Sequence, residues 1–326
     1  MDPDAFHRSL TVVDGHCDTV LDLVGRSLSR PGGPPRDFLE RGSSGHLDLP
    51  RLVEGGVACQ TMALFVEDAL VFDATAETHR LIDALESVFE RTGAFVPAKD
   101  ATGVRTAREA GKVAALLSIE GGECLGESLD ELRAFHARGV RMLGLTWNRA
   151  NALGRGVRAP GPGGLTDFGR RVVREMERLD MVVDASHLSD EALDELVAMA
   201  ERPVVASHSN ARAVCPDDRN LDDARAEAIA RTGGLVALTF AGAFVDADPA
   251  RVSLDRYIDH FERLLAVVGP DHLGLGSDFD GYTDAYGVVM RSCAALPVLT
   301  RALLARGHAA DTVRKFMGEN WLRILG

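Results

Sequence analysis

Six residues of this 326-residue chain have the types and spacing to do chemistry together: His16, Asp18, Glu120, His187, His208 and Asp278. Each closes, or directly follows, a short apolar run. His16 and Asp18 sit two positions apart in Leu-Thr-Val-Val-Asp-Gly-His-Cys-Asp. On an extended chain alternate side chains point the same way, so both can face one point beyond a strand's end. Glu120 follows Leu-Leu-Ser-Ile. His187 and His208 each complete an Ala-Ser-His triplet, 21 residues apart, and Asp278 ends Gly-Leu-Gly-Ser-Asp. Imidazoles and carboxylates are ligands for divalent metals. Three of each exceed the needs of one open zinc site, which takes three protein ligands plus water. They suit two metals bridged by a carboxylate and a water, roughly 3.5–4 Å apart.

Such residues converge only if strands end in one place. Apolar, often β-branched runs centre on Val12–Val13, Val57–Phe65, Val113–Ile119, Val140–Leu145, Met181–Val183, Val204–Ala206, Leu235–Leu238 and His272–Leu275. They read as strands buried on both faces. Amphipathic stretches lie between them: Ala76–Arg91, Ser128–Ala137, Thr166–Leu179, Ser189–Ala200, Asp222–Arg231, Ser253–Val268 and Met290–Arg306. Ser128, Ser189 and Asp222 are N-cap residues; Gly93, Gly139 and Gly307 mark ends. Repeated strand–helix alternation implies parallel pairing by right-handed crossovers. Eight such units predict a (β/α)8 TIM barrel with its site at the C-terminal mouth. The other topology, an open doubly wound sheet, lacks its GxGxxG fingerprint here. Residues 1–326 read as one barrel domain. The Gly161, Gly163, Gly164 loop reads as a surface connection, and the irregular stretch Gly25–Gly45 as a cover for the site.

The composition bounds the partners. The formal net charge is −13, and no Lys/Arg cluster offers a face for nucleic acid. No apolar run approaches a membrane span, and no signal peptide is visible in Met-Asp-Pro-Asp. Cys17, Cys59, Cys124, Cys215 and Cys293 are scattered, odd in number and without a CxxC pair. They read as buried thiols of a cytoplasmic protein. The other seven histidines, including His7, His46 and His79, follow no strand end.

The same residues carry a resemblance. Val-Asp-Gly-His-Cys-Asp (13–18), Ile-Glu-Gly-Gly (119–122), Ala-Ser-His-Leu-Ser (185–189), Ser-His-Ser-Asn-Ala-Arg-Ala-Val-Cys (207–215), Asp-Arg-Asn (218–220) and Gly-Ser-Asp-Phe-Asp-Gly (276–281) resemble the membrane (renal) dipeptidase family of zinc hydrolases. The resemblance implies that His16 and Asp18 bind one zinc ion, that His187 and His208 bind a second, and that Glu120 bridges them; Mn, Fe or Co would also suit these ligands. It implies that Asp278, rather than its rival Asp280, shuttles the proton of the attacking water. Arg219 would hold the C-terminal carboxylate of a small dipeptide-like substrate, L-L or L-D, and the chain would act alone or as a homodimer. One departure stands out. Some members carry a histidine after Leu-Thr at the fourth strand, where it polarises the scissile carbonyl; here Leu145-Thr146 is followed by Trp147 and Asn148. The oxyanion contact then falls to the metals or to an Asn148 hydrogen bond. Two other readings stay open: a related barrel hydrolase acting on N-acyl amino acids or other small amides and esters, and a non-catalytic binding barrel.

Overall fold

The computed structural model describes residues 2–326. Nine parallel strands run β1 (Val12–Asp14), β2 (Val57–Phe65), β3 (Phe95–Pro97), β4 (Val113–Glu120), β5 (Val140–Gly144), β6 (Val182–Asp184), β7 (Val204–Ala206), β8 (Leu235–Leu238) and β9 (Leu273–Leu275). Eight of them close on themselves in the order β2-β1-β9-β8-β7-β6-β5-β4, with β4 pairing back to β2. The closure makes the (β/α)8 barrel that the alternation predicts. The register also brings the strand ends level: Phe65 lies opposite Glu120, Glu120 opposite Gly144, and Gly144 opposite Asp184.

The eight predicted strands are the eight staves. The ninth, β3, lies outside that prediction. It pairs with Val113, Ala114 and Ala115 of β4, ahead of the point where β5 joins at Leu117. Three residues ending in proline carry no alternation to read, and Pro97 cannot extend a ladder. The helix Ala101–Glu109, capped by the Asp100 carboxylate on the Gly103 N–H, returns the chain from β3 to β4.

Helix starts obey the capping chemistry read from the sequence. The side chains of Ser128, Ser189 and Asp222 accept the N–H groups of Glu131, Ala192 and Arg225. Each satisfies a donor that has no partner within its helix. The helix Asp167–Arg178 buries Phe168, Val172, Val173 and Met176 against the sheet. Each such side chain contributes about 1.5–3 kcal/mol through apolar burial. The predicted helix Met290–Arg306 is shorter and runs Leu296–Ala305. Pro297 occupies its first turn, where a missing N–H is harmless, and Ser292 is extended, so the preceding residues form a separate turn. At the base, Trp321 fills the space beneath the mouth, and a Cβ at Gly15 would come within 2.0 Å of its indole ring. Its Nε1 donates to the Leu275 carbonyl at 2.8 Å. No helix among the described residues is long and apolar enough to cross a membrane.

Candidate active site

All six residues lie at the same end of the barrel, on five of the staves. Past β1 the ladder continues irregularly: Gly15 N–H donates to Leu275 O and Asp18 N–H to Phe279 O, both at 2.9 Å. This extension keeps His16 and Asp18 aimed inward together. Glu120 is the last residue of β4. His187 and Asp278 turn into the mouth on left-handed backbone, with φ of 70° and 63°. A non-glycine residue holds that conformation only under constraint from its surroundings. All six side chains are buried.

The separations define two half-sites joined by one carboxylate. His16 Nε2 stands 3.5 Å from Asp18 Oδ2 and 3.5 Å from Glu120 Oε2. The other Glu120 oxygen, Oε1, lies 2.9 Å from His187 Nε2 and 3.6 Å from His208 Nε2. The two Nε2 atoms of that half are 2.9 Å apart. Asp278 Oδ1 approaches His16 Nε2 at 4.0 Å, and Thr239 Oγ1 donates to Asp278 Oδ2 at 3.3 Å. The His16 and His208 rings stack with centroids 3.8 Å apart.

These residues fit divalent metal ions. His16 Nδ1, His16 Nε2 and Asp18 Oδ1 are buried without a hydrogen-bond partner. Native interiors rarely leave such atoms unmet. Potential ligand atoms of His16, Glu120 and His208, and of His16, Asp18 and Asp278, lie within 4.8 Å of one another. Bonds of 2.0–2.1 Å in tetrahedral geometry place neighbouring ligand atoms about 3.4 Å apart. The separations of 2.9–3.6 Å around Glu120 bracket that value.

The charge balance follows from the same packing. Burial lowers His187 to about 3, with the Arg219 cation adding to the effect. Burial, and then His16, push His208 well below the ordinary imidazole value. Neutral imidazoles are the form that binds a metal. For His16 burial acts in the same sense, but the Glu120 and Asp18 carboxylates reverse it and raise the ring. Burial also raises Asp18, helped by Glu120. Glu120 is held below the usual carboxylate range, because His16 and His187 outweigh its burial. Asp278 is pushed up to about 6, chiefly by burial, against the pull of His16. A carboxyl near neutrality can both take and return a proton.

The remaining sequence-predicted residues fall around this centre. Arg219 is 4% exposed, and burial lowers its pKa. Its Nε donates to His187 Nδ1 at 3.1 Å, one terminal nitrogen to Ser209 Oγ at 3.0 Å, and the other to His208 O at 2.9 Å. Three of five guanidinium N–H groups are thus committed, leaving one on each terminal nitrogen. Asn148 lies beside His187, its Oδ1 2.8 Å from His187 Nδ1; the donors an oxyanion would use are its Nδ2 N–H groups, which that contact does not take up. That contact wants a hydrogen on Nδ1, whereas the Arg219 contact wants a bare nitrogen. Trp147 packs at the rim, its ring 5.0 Å from Phe65 and 6.0 Å from His187. Asp280, the rival to Asp278, is fully engaged elsewhere. It accepts from Thr19 Oγ1 at 2.8 Å, Arg36 at 2.8 Å, Ser29 Oγ at 3.2 Å and the His46 N–H at 2.7 Å.

Two groups of residues near the mouth are not among those predicted from the sequence. His46 follows no strand end, yet it is buried and its Nδ1 accepts the Asp280 N–H at 2.9 Å. The stretch Gly25–Gly45 is irregular as predicted and borders the mouth. Leu28 from this stretch joins Ala241, Phe244, Tyr282 and Asp278 around a pocket of about 250 Å³. Asp14 and Asp184 form the second group, at the ends of β1 and β6. Each accepts the hydroxyl of a serine on the neighbouring stave, Ser277 at 2.6 Å and Ser207 at 2.5 Å. The signal is visible in the sequence as Val-Val-Asp at both 12–14 and 182–184, with a serine directly before Asp278 and before His208.

Comparison with known proteins agrees with this geometry. The family model described as membrane dipeptidase (peptidase family M19) matches residues 3–326. Dipeptidase tcpJ from Claviceps purpurea is 33% identical over 294 residues, 86% of this chain and 69% of that protein. A Klebsiella pneumoniae protein described as an uncharacterized protein in the pqqA 5′ region is 40% identical over 237 residues, 69% of this chain and 86% of its own. Among solved structures, dipeptidase AC, a metallo peptidase of family M19, superposes with a TM-score of 0.85 at 33% identity, covering 97% of this chain and 98% of its own. A Rhodobacter sphaeroides metallo peptidase, liganded with a phosphinate mimic of the dipeptide L-Ala-D-Ala, gives 0.85 at 32% identity with the same coverage. Barrel, strand-end ligand cluster and these matches lead to one conclusion: the chain belongs to the membrane dipeptidase family of metallo peptidases.

Proposed function

We propose that this chain is a dipeptidase that hydrolyses the amide bond of small dipeptides, L-L or L-D, with two zinc ions. The carrying observation is the placement of Glu120, whose Oε2 lies 3.5 Å from His16 Nε2 and whose Oε1 lies 2.9 Å from His187 Nε2. One carboxylate spanning two clusters of ligands favours two ions over one. His16 and Asp18 would hold the first, His187 and His208 the second, with Glu120 shared. When bound, the ions supply Lewis acidity and lower the pKa of water toward about 7.

The chain's own residues do the rest. Asp278, pushed up to about 6, accepts the proton of the attacking water and returns it to the leaving amine. Arg219 offers its two uncommitted N–H groups to the substrate's free carboxylate, which favours dipeptides over long chains. The pocket of Leu28, Ala241, Phe244 and Tyr282 beside Asp278 takes a substrate side chain. With Asn148 Oδ1 against His187, the Asn148 amide N–H groups are left to donate to the developing oxyanion, beside the polarisation that bound ions would supply, and Trp147 narrows the rim. The five cysteines are buried and unpaired, which supports a reducing, cytoplasmic setting.

Two measurements test this. Elemental analysis after zinc reconstitution should find about two equivalents per chain. A library of L-L and L-D dipeptides, run beside N-acyl amino acids and small esters, should show turnover of dipeptides. Hydrolysis confined to the N-acyl compounds would overturn the substrate class. No hydrolysis by metal-loaded protein would favour a binding barrel.

A further inference from the structure

We propose that Asp184 and Ser207 form a positioning chain that fixes His208 with its Nε2 lone pair facing the metal, and that this makes the His187–His208 position the tighter of the two. The proposal rests on the metallo dipeptidase reading above.

The chain can be followed atom by atom. Asp184, at the end of β6, accepts the backbone N–H groups of Ser186 and Ser207 on Oδ1, both at 2.9 Å. Its Oδ2 lies 2.5 Å from Ser207 Oγ. An ionised carboxylate can only accept, so the Ser207 hydroxyl hydrogen points to Asp184. The serine oxygen keeps its lone pairs for His208 Nδ1, 2.7 Å away. That nitrogen must therefore carry the ring hydrogen. Nε2, on the far side of the ring, is left bare toward Glu120 Oε1 at 3.6 Å and His187 Nε2 at 2.9 Å. The His208 backbone is held as well, its N–H donating to Ser186 Oγ at 3.1 Å. All four residues of the chain and its anchor are buried, so no solvent competes for these hydrogens.

The other half repeats the motif without its outcome. Asp14, at the end of β1, accepts the Ser277 N–H at 2.8 Å and the Ser277 hydroxyl at 2.6 Å. The residue after Ser277, however, is Asp278, not an imidazole. The imidazole of that half, His16, has no hydrogen-bond partner on Nδ1. The same clasp thus reaches a ligand ring on one side, while on the opposite side no hydrogen bond fixes which nitrogen of His16 carries the hydrogen. Removing a hydrogen-bond partner of a ligating histidine typically costs 10–100-fold in metal affinity.

The test uses the full chain, stripped of metal and titrated with zinc against a chromophoric chelator. Wild type should bind in two steps. Ser207→Ala should weaken the tighter step about 10–100-fold and leave the other within a few-fold. Ser277→Ala should leave the tighter step unchanged. Asp184→Asn keeps the shape but presents an N–H to Ser207 Oγ, reversing the chain so that the hydroxyl donates to His208. It should weaken the same step. Nitrogen-15 histidine NMR of the metal-free protein gives an independent reading: His208 should carry its hydrogen on Nδ1 in wild type and on Nε2 in Asp184→Asn. Unchanged affinity in both Ser207→Ala and Asp184→Asn overturns the proposal, as does a wild-type His208 with its hydrogen on Nε2. Absence of zinc binding in wild type overturns the metallo dipeptidase reading instead, and the NMR of metal-free protein then still decides whether the chain exists.

Discussion

Asp278 and Asp280 sit on one turn, two residues apart, both buried and both on left-handed backbone with φ of 63° and 66°. They differ in what reaches them. Asp280 draws donors from Thr19, Ser29, Arg36 and the His46 backbone, and so ties the turn after β9 to the turn after β1 and to the irregular stretch. Asp278 has one hydroxyl, Thr239 Oγ1, at 3.3 Å, and faces the ligand cluster. A carboxylate whose lone pairs are all met is a joint. One that is buried and undersupplied carries a raised pKa and is available for chemistry. Residue type and backbone conformation are alike, so the difference lies in satisfaction.

The comparison breaks most visibly at Asp278. Asp278→Asn should lower kcat by about 10²–10⁴-fold, the range for losing a positioned proton carrier, with the unfolding midpoint unmoved. A fall below about tenfold in steady-state kinetics would remove Asp278 from its role. Asp280→Ala should do the reverse in kind. It strips the partner from Arg36, which also pairs with Asp22 at 2.5 Å, and should destabilise the fold by about 3–5 kcal/mol in urea unfolding. A loss under about 1 kcal/mol would mean the four donors find other partners.

A third test applies the same rule to a histidine away from the ligand cluster. His260 accepts the Ala211 N–H at 3.1 Å and donates to Val245 O at 2.8 Å, so both ring nitrogens are met in the neutral form. Burial lowers it from 6.5 to about 4. The folded value is the depressed one, so above about pH 6.5 the group contributes no pH dependence. Stability is then lost as the pH falls from about 6.5 to about 4, because the unfolded chain takes up a proton that the fold refuses. At about 1.4 kcal/mol per unit the loss approaches about 3 kcal/mol. Urea unfolding at pH 7 and 4.5 should show a gap that narrows in His260→Gln; an equal gap in both would remove His260 from the account. Smallest is Thr239→Val, which deletes the one hydroxyl on Asp278. A lost hydrogen bond to a carboxylate disfavours its charged form, so the acid limb of the pH–rate profile should move to higher pH. The accompanying change in kcat/KM should be about tenfold or less, set by a bond worth about 1 kcal/mol.

The large features were legible because each repeats a pattern. Eight apolar runs with helical stretches between them can close in few ways, and every ligand candidate follows one of those runs. Ser128, Ser189 and Asp222 cap where a short polar side chain must. What stayed hidden depends on contacts across the barrel. Strand β3 is too short to show a period. His46 reaches the Asp280 backbone across 234 residues, and Thr19 reaches its side chain across 261. Nothing in the sequence near Asn148 says that its amide oxygen meets His187. Satisfaction is a property of the folded neighbourhood, so two aspartates in Asp-Phe-Asp look alike until their donors are known.

The seam of the barrel has a consequence for how the enzyme comes into being. β1 meets its second neighbour through a single pair, Asp14 opposite Leu275, and the Trp321 indole beneath donates to the Leu275 carbonyl. The ring therefore joins strands that lie far apart in the sequence. While the chain is still emerging, the His16 ring and its β1 stave have no β9 to lie against, and Asp278 has not been made. Local strand–helix units can form early, but this long-range join comes late and slowly. Hydrolytic activity should accordingly appear only after β9 has joined β1 and Trp321 has packed beneath it, which keeps a chain without that join from acting on dipeptides around it.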